Sequence, residues 1–119
     1  GVASDPAVRA RANALAAEAR AGDRAFEAAH ARAAAAARGA GAPGSESWVE
    51  AQQAISRAEA ERTATGRALA ELDRLATERA RLPTNEGDFA LVRGALEEVE
   101  AIAASQQQKL DRLRSAVRR

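Results

Sequence analysis

The chain lacks cysteine and contains a single histidine, His30, among its 119 residues. Without thiols there can be no disulfide, no thiolate nucleophile and no cysteine-ligated metal. A serine nucleophile needs a base within hydrogen-bond reach, and one histidine cannot supply a triad to several scattered serines. The sequence therefore predicts a protein that is not an enzyme, with no catalytic residue, no cofactor and no metal site.

One weak metal motif is present in the first half of the chain. Glu27 and His30 have the Glu-x-x-His spacing found in di-iron helical bundles, where the i, i+3 step puts both ligands on one helix face. Such sites need two of these motifs and two further carboxylates, so a single chain could not complete one. We interpret the pair as a surface histidine beside a surface glutamate, and a dimeric metal site is the only alternative.

Aromatic residues are scarce, at 3% of the chain, and tyrosine and methionine are absent. Alanine dominates the apolar residues, followed by leucine, while the β-branched and aromatic residues that favour strands are few. Alanine, arginine, glutamate and leucine are the best helix formers. The composition predicts an all-α protein with a thin core, and its alanine and arginine bias is typical of a GC-rich, bacterial genome.

No apolar run approaches the roughly 20 residues needed to cross a bilayer, because charged residues recur every few positions. The chain begins Gly1-Val2 rather than with methionine. We expect residues 1–4 to be a disordered tail or a cloning remnant. Removal of an upstream leader would fit as well, and would indicate export or a periplasmic location.

The first helix is predicted over residues 6–38. Asp5 is the expected N-cap and Pro6 occupies the first helical position, where its missing N–H costs nothing. The glycine-rich segment 39–44 ends the helix because glycine and proline do not continue it. Its apolar stripe alternates steps of four and three residues: Val8, Ala12, Leu15, Ala19, Gly22, Phe26, Ala29, Ala33 and Ala36.

The second helix is predicted over residues 48–82. Ser47 and Glu50 have the spacing of a capping box at its start, and Leu82-Pro83 ends it. The third helix is predicted over residues 86–117, with Thr84 or Asn85 as N-cap. The stripe of this last helix is the strongest in the chain: Phe89, Val92, Leu96, Val99, Ala103, Gln106, Leu110, Leu113 and Val117.

Three long helices with short connections predict one domain, residues 5–119, folded as an elongated up-down-up antiparallel three-helix bundle with coiled-coil-like heptad packing. When the three helices are folded back about their two turns, their stripes place Gly22, Arg62 and Gln106 in one polar layer near the middle of the bundle. A buried unpaired guanidinium would be costly, so we expect Arg62 to meet Asp23 or Gln106, or to reach water past Gly22.

Trp48 is the only tryptophan. We expect it to close the bundle end near Ala36 and Val117, with Arg118 or Arg119 stacked above it. If it were exposed beside Val49 instead, Trp48 would be the first candidate for a partner contact, together with the two terminal arginines.

These observations predict a non-catalytic helical structural or protein-interaction module, such as a spacer, an adaptor or a coiled-coil-like partner. The alanine-rich face of the first helix would serve for protein contact or self-association. The alternative is a weak binder of nucleic acid or an anionic surface, since residues 109–119 hold five basic residues against one acid, Asp111. No aromatic residues accompany them to stack on bases, so we do not expect a nucleic-acid partner.

Overall fold

The structure is a computed structural model describing residues 1–117, which form four α-helices and no strand. The helices are α1 (Pro6–Arg38), α2 (Glu46–Ala60), α3 (Thr63–Arg81) and α4 (Glu86–Ala116). α1 and α4 run the length of the molecule, and α2 and α3 follow one another along its third side. The molecule measures 64 × 20 × 14 Å. The predicted all-α helical bundle is confirmed.

Helix α1 begins and ends where its sequence signals predict. The Asp5 carboxylate accepts hydrogen bonds from the N–H groups of Ala7 (3.1 Å) and Val8 (3.4 Å), which have no acceptor inside the helix. At the other end the Gly39 N–H donates to the Ala36 carbonyl at 3.2 Å and closes the last turn.

The start of α2 differs from the prediction. Ser45, not Ser47, is the N-cap, and its hydroxyl accepts from the Trp48 N–H at 3.3 Å. The Ser47 hydroxyl instead accepts from the Gly41 N–H at 2.9 Å. Gly44 takes a positive φ of 89°, which turns the chain early enough for the helix to begin two residues sooner than expected.

The predicted continuous helix over residues 48–82 is wrong, because the chain breaks at Glu61 and Arg62, between α2 and α3. The N–H groups of both residues donate to the carbonyl three positions earlier, each at 3.1 Å, rather than four. The Thr63 hydroxyl then donates to the Ala60 carbonyl at 2.9 Å. This hydroxyl competes with the backbone for an acceptor, which favours a helix start here over a helix interior.

The start of α4 is capped by Asn85, whose side-chain oxygen accepts from the N–H groups of Gly87 (2.8 Å) and Asp88 (3.2 Å). The Asn85 side-chain N–H donates in turn to the Val2 carbonyl at 3.0 Å. In the segment 1–4, interpreted from sequence as a disordered tail or a cloning remnant, Val2 and Ser4 are hydrogen-bonded to the start of α4. The side chains of Asn85 and Asp88, at the start of α4, thus hold residues 1–4 in place.

The hydrophobic core consists of two clusters, one in each half of the bundle. The α3 half joins the first half of α1, α3 and the first half of α4, with Leu15, Leu72, Val92, Leu96 and Val99 as its larger members. The α2 half joins the second half of α1, α2 and the second half of α4, with Phe26, Ile55, Leu110, Leu113 and Val117. Among residues 1–117, no helix combines the length and hydropathy that crossing a membrane requires.

Candidate functional site

The outward side of α1 is an alanine face that runs along nearly the whole helix. Five alanines recur at intervals of seven residues along α1. A second series with the same interval runs beside them and consists of three alanines and Arg24. All of these positions are exposed: Ala7, Ala10, Ala14, Ala17, Ala21, Arg24, Ala28, Ala31 and Ala35. On a helical projection at about 100° per residue they lie opposite the buried stripe of the same helix. From Ala7 to Ala35 the face is about 42 Å long at ~1.5 Å per residue.

Two charged residues beside the alanine face, Arg11 and Arg20, are bound back to their own bundle. Arg11 makes a two-pronged contact with Glu71 of α3, with its Nη2 at 2.7 Å from Oε1. Arg20 donates to Glu98 of α4 at 2.7 and 2.9 Å. The hydrogen bond from Arg11 lowers the pKa of Glu71, and the same bond raises the pKa of Arg11. Among the nine positions of the alanine face itself, Arg24 is the one charged residue, and the exposed Glu18 and Arg32 lie at its edge.

The predicted polar layer is brought together only in part. Gln106 is fully buried, and its side-chain N–H donates to the Asp23 carboxylate at 3.0 Å. Gly22 lies against Ala64 of α3, since a Cβ added at Gly22 would stand 2.8 Å from the Ala64 Cβ. Arg62 stays outside this layer.

The Arg62 guanidinium donates at the surface to the Gln107 side-chain oxygen at 2.7 Å, rather than to Asp23 or Gln106. The break after Ala60 places residue 62 in the turn between helices, so it does not continue the α2 stripe. Its place in the layer is taken by Thr65, which is 2% exposed. The oxygens Thr65 Oγ1 and Gln106 Oε1 are both buried without a hydrogen-bond partner.

Trp48 is half-buried and packs against the α2-half cluster, which contains Val117. Its indole N–H is buried and has no hydrogen-bond partner among residues 1–117. The neighbouring Val49 is 40% exposed. The predicted contacts of Arg118 and Arg119 lie outside the described residues.

The basic end of α4 is partly neutralised by other helices. Lys109 forms an ion pair with Glu27 of α1. Arg114 pairs with Glu59 of α2, and its Nε lies 3.2 Å from that carboxylate. Of the two residues in the predicted metal motif, Glu27 is thus paired with Lys109. His30 stacks on Phe26, with 5.9 Å between the ring centroids. Within residues 1–117 no three potential ligands gather into a metal-binding group.

Asp88, which sequence reasoning missed, anchors one end of the bundle. Its side chain is 2% exposed, and both of its oxygens are occupied. Oδ1 accepts from the Ser4 hydroxyl at 2.8 Å and from Arg9 at 2.9 Å, and Oδ2 accepts from the Asp5 N–H at 2.7 Å. A signal was available, because Asp88 stands four residues before the buried Val92 and so extends the α4 stripe.

The pKa of Asp88 is lowered, chiefly by the hydrogen bond from the Asp5 backbone N–H. Burial opposes this effect, while the hydrogen bonds from Arg9 and Ser4 add to it. The carboxylate therefore stays ionised and holds the segment before α1 against the start of α4.

Comparison of the chain with protein-family models, with curated proteins and with solved structures finds no match. The function must therefore be argued from the surfaces and side chains described above.

Proposed function

We propose that this chain is a non-catalytic helical module that acts by protein contact through the alanine face of α1. The observation that carries the proposal is the run of exposed alanines at heptad intervals on the side of α1 opposite its own core. Solvent-facing helix surfaces usually carry charged and polar side chains. A ridge with small side chains lets a second helix approach closely, and little side-chain entropy is lost when it is covered.

A second copy of the chain is the partner that suits this face best. In an antiparallel pairing centred on Ala21, Ala14 would lie opposite the partner's Ala28, and Ala7 opposite the partner's Ala35. The same register would set Arg24 against the partner's Glu18, and the two-fold axis would repeat that pair. The one charge on the alanine face would therefore meet an opposite charge instead of interrupting the contact.

The proposal is tested by measuring molar mass against concentration by analytical ultracentrifugation. We expect the wild-type chain to approach twice its monomer mass as concentration rises. A double variant, Ala14→Arg with Ala21→Arg, should stay monomeric, because two bulky cations would stand where the helices approach.

The matched control is Ala90→Arg with Ala104→Arg, which places the same side chains on exposed positions of α4, each four residues after a glutamate. This variant should associate as the wild type does. A wild-type chain that is monomeric at its highest soluble concentration, or equal loss of association in both double variants, would contradict self-association through α1.

Binding to nucleic acid or an anionic surface through the C-terminal basic residues is the alternative function. It has less support, because Lys109 and Arg114 are already paired with acids of α1 and α2. Replacing Arg112, Arg114, Arg118 and Arg119 by glutamine should abolish any binding of a single-stranded oligonucleotide at low salt. If the wild-type chain does not bind at low salt, this alternative is wrong.

A further inference from the structure

The middle of the bundle is the place where its two cores are least connected. The α3-half and α2-half clusters share no buried hydrophobic residue. The fully buried side chains between them include Thr65 and Gln106, and each has an oxygen without a hydrogen-bond partner. A buried polar group without a partner favours any state in which water can reach it.

The chain break coincides with this layer. α2 ends at Ala60 and α3 begins at Thr63, whereas α1 and α4 continue through the same level without interruption. The first N–H groups of α3 have no acceptor inside their own helix. No side chain caps them, and the first bond of α3 is from the Gly66 N–H to the Arg62 carbonyl at 3.0 Å. The junction thus has fewer internal hydrogen bonds than an unbroken helix.

Helix α2 is held mainly to α1 and only lightly to α4. Its ties to α4 include Gln52, whose side chain donates to the Val117 carbonyl at 3.1 Å, and Glu59, which pairs with Arg114. Glu59 and Arg114 are each more than 40% exposed, so water competes with their interaction. An open groove of about 350 Å³, lined by Arg62, Thr65 and Ala103 among others, already adjoins the layer.

We propose that Glu61 and Arg62 form a hinge about which α2 opens as one unit while α1, α3 and α4 remain folded together. Opening admits water to Thr65 Oγ1 and Gln106 Oε1 through the adjoining groove, and this hydration offsets part of the apolar contact that α2 loses. The hinge does not depend on the alanine face, because that face lies on the opposite side of α1 from α2.

Native-state hydrogen exchange followed by NMR on the full chain tests the hinge. The amides of α2 should exchange as a group, with protection about tenfold or more below that of the amides in the middle of α3. In Thr65→Val the unpartnered hydroxyl is replaced by a methyl group of similar size, so opening gains less hydration. Protection of α2 should then rise several-fold, towards that of α3.

Thr77→Val is the matched control, because Thr77 is an exposed residue of α3 whose hydroxyl donates to the Asp73 carbonyl. This variant should leave the protection of α2 unchanged. Equal protection of α2 and α3 in the wild-type chain would overturn the proposal. So would a Thr65→Val variant in which α2 exchanges no more slowly than it does in Thr77→Val.

Discussion

The α3 half and the α2 half of the bundle are built on the same heptad pattern but are stabilised differently. In the α3 half, several leucines and valines share the burial, and Asp88 ties the N-terminal segment to the start of α4. In the α2 half, a fully buried phenylalanine, Phe26, joins a comparable set of large aliphatic side chains, and the half-buried Trp48 packs against them.

A thin, alanine-rich core is therefore completed in two ways. The buried residues of the α3 half are all aliphatic, and the Asp88 anchor is added at its end. The α2 half adds one fully buried aromatic side chain, Phe26, to its buried aliphatic residues. The buried polar residues Thr65 and Gln106 lie between the two halves.

The largest expected effect is that of Phe26→Ala. Removing a fully buried phenylalanine leaves a cavity that the other side chains of the α2-half cluster fill only in part, so we expect the free energy of unfolding to fall by about 3–5 kcal/mol. Urea unfolding at neutral pH measures the change.

Phe89→Ala is the control for this change, since it removes the same side chain from a half-buried position at the start of α4. Its loss should be clearly smaller. Equal losses at Phe26 and Phe89 would show that the complete burial of Phe26 adds nothing to its contribution to stability.

The second effect is that of Asp88→Asn, which acts on the anchored end of the α3 half. Asparagine keeps the size of the side chain but cannot offer two ionised oxygens to Ser4, Asp5 and Arg9. We expect a lower midpoint of urea unfolding at neutral pH, with a smaller change than that of Phe26→Ala. Asp73→Asn, at an exposed aspartate of α3, should leave the midpoint nearly unchanged.

The loss in Asp88→Asn should depend on pH in a defined direction. Because the pKa of Asp88 is lowered in the folded chain, its contribution is fully present above the ordinary aspartate value of about 3.9 and is lost as the pH falls through the lowered value. The difference between wild type and Asp88→Asn should therefore shrink in acid. A difference that stays constant from pH 7 to pH 2 would show that the charge of Asp88 does not stabilise the fold.

The smallest effect concerns the boundary between the halves. In Gly22→Ala the new Cβ would stand 2.8 Å from Ala64, and the cost of overpacking, about 1–3 kcal/mol, should exceed a gain in helix propensity of up to ~1 kcal/mol. In Gly94→Ala nothing lies within 4 Å of the new Cβ, so the variant should be more stable by about 0.5–1 kcal/mol. Thermal unfolding of the two variants should show shifts of opposite sign, and shifts of the same sign would contradict the close approach at Gly22.

The long helices could be predicted from residues because their signals are local. Asp5-Pro6 and Asn85 mark helix starts through hydrogen bonds that span two or three residues, and the apolar periodicity defines which face is buried. The break after Ala60 was not predicted, because two features produce it together. One is the hydrogen bond from the Thr63 hydroxyl to the Ala60 carbonyl, and the other is the weak packing of the polar layer. Neither signal is distinctive by itself in a sequence.

The candidate sites were predictable to different degrees. The burial of Gln106 and the alanine-rich character of α1 follow from spacing alone. The partner of Arg62 was not predictable, because the break after Ala60 takes residue 62 off the α2 stripe and leaves its side chain at the surface beside Gln107. Asp88 was missed because its donors Ser4, Asp5 and Arg9 are about 80 residues away in the chain.

The all-α character, the faces that the helices bury and the lack of thiol chemistry follow directly from the residues, since propensity, periodicity and composition act within a few residues. Packing is needed to define where the third side of the bundle breaks, which polar groups are buried without partners and which charge anchors the end. These features depend on how residues far apart in the chain come into register, and that register is settled only when the helices pack together.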